Sequence, residues 1–180
     1  MVRKTVSLLM ILALCGILTA AAQAQSKTVH FKQLQQCLPK IDLPGFTTGK
    51  PQGETSSMLG MSTSEASLAY EKVVNENTTQ TITVKISDTA GVPMAGIGMS
   101  MLGMTEFSNE TENGYEKSVK IQGFSGTEKV QKGENSSAEI NLVVANRFMV
   151  TLDASGTSDV ALLHKLLDNM SLADLAKLAK

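Results

Sequence analysis

The sequence predicts an α+β domain: a twisted antiparallel sheet of about six strands, flanked by N-terminal, central and C-terminal helices. Three observations predict it. Apolar side chains alternate with polar ones through Ser64–Glu71, Thr81–Ile86, Tyr115–Gln122, Glu139–Ala145 and Arg147–Ala154, the period of a half-buried strand. They recur every three or four positions in residues 28–38 and 160–170, the period of an amphipathic helix. The chain beyond residue 24 is long enough for one good core.

The elements follow in order. Phe31, Leu34 and Leu38 share a face of a helix over 28–38, which Pro39 ends. Residues 39–62 hold Pro39, Pro44 and Pro51 with several glycines, and read as an ordered but irregular loop. Ala66, Leu68 and Tyr70 form one strand face; Ile82, Val84 and Ile86 form the next. Residues 92–104 carry no charge, are mostly apolar, and are expected to form a short helix over the sheet. Ser108 to Asn113 is a polar linker, and Asn113-Gly114 is a turn signal. Tyr115–Gln122, a short strand at Thr127–Lys132, Glu139–Ala145 and Arg147–Ala154 follow, the last two as a hairpin. Ser158 and Asp159 are helix caps, Val160, Leu163, Leu167 and Met170 make the stripe, and Asn169 closes the helix. Ser171 with Asp174 resembles a capping box for a last helix over 172–178.

The first 24 residues have the three parts of a cleavable secretory signal. Arg3 and Lys4 are its positive start, and Val6 to Leu18 its apolar run. Ala22 and Ala24 satisfy the small-residue cleavage rule before Gln25. The expected organisation is a signal peptide, 1–24, and one globular domain, 25–180, in the periplasm or secreted. Cys15 leaves with the signal, and its neighbour Leu14 speaks against a lipoprotein site. Cys37 then stands alone, so no internal disulfide forms; its place at i+3 from Leu34 assigns it to the core rather than to reactive chemistry or an intermolecular bridge. Two of the 16 basic residues lie in the signal and all 17 acidic residues lie beyond it, so the remainder carries a net charge of −3. Arg147 is its one arginine, and no basic cluster exists, which argues against a nucleic-acid partner. No later apolar run reaches membrane-spanning length.

Catalytic patterns are missing from the sequence. His30 and His164 lie far apart without the spacing of zinc ligands. Gly96-Ile97-Gly98 begins like a dinucleotide fingerprint, but Met101 stands where the third glycine belongs. Glu110 and Glu112 sit in the polar linker, where solvation explains them. Asn77, Asn109, Asn135 and Asn169 begin glycosylation-type tripeptides, which matter only in a host that modifies exported proteins. Methionine is the unusual feature: Met94, Met99, Met101 and Met104 crowd the apolar segment, and Met58 and Met61 lie earlier. Thioethers suit Cu(I), and they also build adaptable apolar contact surfaces.

Gly53 to Ser57, Ser64 to Ser67 with Tyr70, Gly114 to Lys117, Val143 to Phe148 and the helix Asp159 to Met170 resemble a family of uncharacterised exported bacterial proteins. The order of elements is similar to the Mog1/PsbP-type fold, whose members are mostly non-enzymatic binding or assembly factors. That likeness implies no catalytic residue. The expected function is therefore a non-catalytic exported binding or accessory module. It would contact another envelope or secreted protein, or a small apolar ligand, through a Met-rich surface, with no cofactor. Two alternatives stand beside it: a periplasmic Cu(I)-binding protein using Met94, Met99, Met101 and Met104, and an enzyme with an unrecognised site.

Overall fold

Alternation of apolar and polar side chains commits backbone to extended form with one face buried, and this chain alternates for much of its length. The computed structural model describes residues 28–58, 61–91 and 106–180. The described residues form one antiparallel sheet of nine strands: β1 (Thr47–Thr48), β2 (Gln52–Met58), β3 (Met61–Asn75), β4 (Thr78–Gly91), β5 (Ser108–Thr111), β6 (Gly114–Ile121), β7 (Phe124–Gln131), β8 (Ser137–Val144) and β9 (Phe148–Ser155). Their three helices are short: α1 (Phe31–Gln35), α2 (Val160–Asp168) and α3 (Leu172–Lys177). β1 and β2 both pair with β3; then come β4, β9, β8, β7, β6 and β5 at the far edge.

Register explains the core. Ala66, Ile86, Val150 and Leu142 lie side by side and are continued by Gly126 and Val119. Leu68, Val84, Leu152 and Ile140 form the next row, continued by Glu128 and Lys117. Tyr70, Ile82, Ala154 and Ala138 form the third, continued by Val130 and Tyr115. The first four members of every row are buried. Leu163, Leu166 and Leu167 of α2 and Leu172 and Leu175 of α3 are buried too, with α2 against β8 and β9 and α3 against β8. Leu34, Cys37 and Leu38 close the β3 side. Cys37 is buried, and burial first, then Asp174, raises its thiol pKa.

The expected sheet of about six strands with three flanking helices is corrected to nine strands with little helix. The added strands are all at edges. The loop expected over 39–62 contains β1 and β2, and the expected polar linker contains β5. β2 and β5 are exposed at every residue, so they have no buried face to print an alternation in the sequence. Pro51 falls at the break between β1 and β2, as an edge permits. The first helix is shorter than 28–38. The Val29 N–H donates to Asp88 Oδ2 at 2.6 Å, which ties the chain to β4 and leaves His30 as the N-cap. The expected central helix over 92–104 lies outside the described residues, as do Ala22, Ala24, Gln25 and the whole of the expected signal segment, residues 1–24.

Several local expectations hold. Asp159 caps α2 by accepting the Ala161 N–H at 3.1 Å, and Asn169 closes it. The β8–β9 hairpin turns through Ala145 and Asn146 at φ +53° and +52°. The capping box at α3 does not form: the Ser171 carbonyl, not its hydroxyl, accepts from Asp174 and Leu175, while Asp174 pairs with Lys177. Among the described residues no helix is long and apolar enough to cross a membrane.

Candidate functional site

Where β6 and β7 meet α2, the core face turns polar. Glu128 has inward parity, two residues before Val130, and its side chain is 3% exposed. Its Oε1 accepts the Tyr115 hydroxyl at 2.6 Å and lies 3.1 Å from Lys117 Nζ. Its Oε2 is 2.6 Å from His164 Nε2. Lys117 also stands 4.8 Å from the centre of the Tyr115 ring. β6 supplies Tyr115 and Lys117 because residues two apart on a strand share a face, and α2 lays His164 over them.

Electrostatics sets what this group can do. Burial pushes the Glu128 carboxyl up, but hydrogen bonds from Tyr115, His164 and Lys117 together outweigh it and hold the carboxyl below its ordinary value. Burial first, then the hydrogen bond to Glu128 and its charge, push Tyr115 up to about 12. A carboxylate so stabilised is a weak proton acceptor near neutrality. It serves as an anchor on which sheet and helix converge.

The sign of the pH effect follows. A depressed carboxyl stabilises the fold above its unfolded value of 4.5 and loses that contribution as pH falls through the folded value. Urea unfolding at pH 7 and at pH values below 4.5 should show an acid loss that Glu128→Gln reduces. An equal acid loss in both proteins would assign it to other carboxylates.

A second polar knot lies on β4 and the β8–β9 turn, one step beyond the row of Ile86 and Val150. Arg147 donates from Nε to Asp88 Oδ1 at 3.0 Å and from Nη2 to Oδ2 at 2.8 Å. The Val29 and Ala90 N–H groups complete the carboxylate's shell at 2.6 and 3.0 Å. Asp88 is 0% exposed at its side chain. The knot fastens the start of the described chain, β4 and the β8–β9 turn together.

The residues singled out in the sequence distribute as follows. His30 is exposed and caps α1, its Nδ1 accepting the Lys32 N–H at 3.3 Å. His164 is half-exposed on α2, as a surface helix position would be, but the fold gives it an acidic partner 36 residues away. Glu110 is exposed in β5, and Glu112 is exposed in the turn after it. Met94, Met99, Met101 and Met104, with Gly96 and Gly98, lie outside the described residues. Met58 is 70% exposed at the end of β2 and pairs in register with Met61. Hollows also open on the described surface. One of about 250 Å³ is lined by Asn109, Tyr115, Lys129 and Val130, and one of about 330 Å³ by Glu54, Glu65, Ser87 and Asp88.

The Glu128 cluster and the Asp88–Arg147 knot escaped the sequence reading. For Glu128 the signal was its parity with Val130, which puts a carboxylate on an inward position. Comparison with protein-family models, with curated proteins and with solved structures gives no match.

Proposed function

We propose that this chain is an exported, non-catalytic binding or accessory module that meets another envelope or secreted protein through methionine-bearing chain at one end of its sheet. One observation supports it above the others. Met58 opposes Met61, and the next residue, Ser62, opposes Gly91, where the chain leaves β4 for the segment holding Met94, Met99, Met101 and Met104. Two methionine-bearing stretches distant in sequence therefore depart from one end of the sheet. Flexible thioether side chains adapt to varied partner surfaces, and exposed apolar groups gathered in one place mark contact sites. The signal-like leader and the resemblance to exported bacterial proteins support the compartment.

The test is photo-crosslinking in the native host. A crosslinker in place of Met58 should give adducts with a second envelope or secreted protein. The same group in place of Asn135, in the loop at the other end of the strands, should give none. Equal labelling from both positions sinks the reading. The number of methionines in these two stretches of the sequence favours a second reading, a soft-metal site. Tight Cu(I) binding by reduced protein, lost when Met99, Met101 and Met104 become Leu, would put that reading first.

A further inference from the structure

Among the described residues β2 forms the long free edge of the sheet. All seven of its residues are exposed, and among the described residues it pairs with β3 alone. The direction of its unpaired peptide groups follows from the register. The Gly49 N–H donates to the Ala69 carbonyl at 2.8 Å, so the odd-numbered residues of β3 turn their peptide groups toward this edge. Those residues oppose Gln52, Glu54, Ser56 and Met58. Alternation then turns the peptide groups of Gly53, Thr55 and Ser57 outward, away from β3. Natural edge strands are commonly blocked by lysine, proline or inward charges. None of these stands within β2, whose one charged residue is Glu54.

We propose that a second copy of this chain occupies this edge, β2 pairing antiparallel with its counterpart about a twofold axis at Thr55. Gly53 then opposes Ser57 of the partner subunit, Thr55 opposes its own copy, and each outward pair exchanges two hydrogen bonds. Glu54 comes opposite Ser56 of the partner subunit, so the one carboxylate of the strand meets a hydroxyl. Met58 comes opposite Gln52 of the partner subunit, which covers an exposed apolar side chain. The outward residues Gly53, Thr55 and Ser57 are spaced symmetrically about Thr55, so one copy of the edge completes the other and the pair closes on itself. α1 meets β2 through side chains, the Phe31 N–H donating to Thr55 Oγ1 at 3.0 Å and the Phe31 ring lying over Gly53, and takes no hydrogen bond from the outward peptide groups.

Sedimentation equilibrium of the purified protein should find a reversible dimer. Ser57→Pro removes an outward N–H and spares the ladder to β3, so it should give a monomer with unchanged circular dichroism. Ser56→Glu sets a carboxylate opposite Glu54 twice by symmetry and should weaken the dimer about tenfold, while Ser56→Lys should tighten it. These two variants leave the backbone untouched and decide the matter if the proline variant misfolds. A monomer at the highest soluble concentration, an open-ended polymer, or equal effects of Ser56→Glu and Ser56→Lys would overturn the proposal. In the monomer case the edge is left to a foreign strand.

Discussion

Arg147→Met should destabilise the protein by about 3–5 kcal/mol, because it strands a buried carboxylate. Asp88 has no exposed side-chain surface, and Arg147 supplies two of the four donors named above for its carboxylate. The remaining Val29 and Ala90 N–H groups neutralise no charge. Methionine keeps most of the apolar stem, so the loss reads the stranded charge more than lost packing. Asp88→Asn combined with Arg147→Met should lose less than the two single changes added together, since the double variant buries no unpaired charge. Urea unfolding of the four proteins is the measurement. A loss below about 1 kcal/mol for Arg147→Met would show that water screens the pair.

Gly126→Ala is the second large effect, and here the sign decides. At a permissive site alanine stabilises by about 0.4–1 kcal/mol through the unfolded chain. Gly126 is not permissive. A Cβ there would stand 1.9 Å from the Asn141 carbonyl oxygen and 2.8 Å from Leu142 Cδ2. The first of these is backbone within the β7–β8 ladder, where Gly126 opposes Leu142. Relief requires the two strands to part beside the row of Ala66, Ile86 and Val150. We expect a loss of about 3 kcal/mol, the upper range for overpacking, and a fall in Tm of several degrees. Gly133→Ala supplies the control. At φ +101° it pays the left-handed backbone cost but meets no atom within 4 Å. Gly126 has no left-handed φ, so a Gly126→Ala loss no larger than that of Gly133→Ala would show that small shifts of β7 and β8 relieve the crowding.

Both predictions concern residues that sequence patterns describe poorly. Arg147 is visible in the sequence as the one arginine beyond residue 24, yet nothing local names Asp88, 59 positions earlier, as its partner. Glu128 and His164 are likewise joined across 36 positions. Side-chain parity was readable at both acidic positions. Asp88 continues the inward series of Ile82, Val84 and Ile86, and Glu128 continues that of Val130. An acid on an inward parity demands a partner, and the partner's identity depends on which strand or helix lies alongside.

The edge strands mark the other limit. The segments that became the interior of β3, β4, β6, β8 and β9 show alternation because one face of each meets the core. β2 and β5 are wet on every side chain, so their composition reads as loop, and only hydrogen bonding to a neighbour makes them strands. The short α1 has a similar cause: propensity and spacing favour a longer helix, while the bond from Val29 to Asp88 holds its start extended.

By itself, then, the sequence determined the inward faces of the central strands, the amphipathic stripe and Asp159 cap of α2, the tight turn at Ala145-Asn146 and the burial of Cys37. These depend on periodicity, local hydrogen bonds and hydrophobicity, all of which act over a few residues. The tertiary structure alone decided the nine-strand order, the edges, the partners of Glu128 and Asp88, and the pairing of the start of β3 with the end of β4. Those depend on register between segments far apart in the chain, a property no single segment carries.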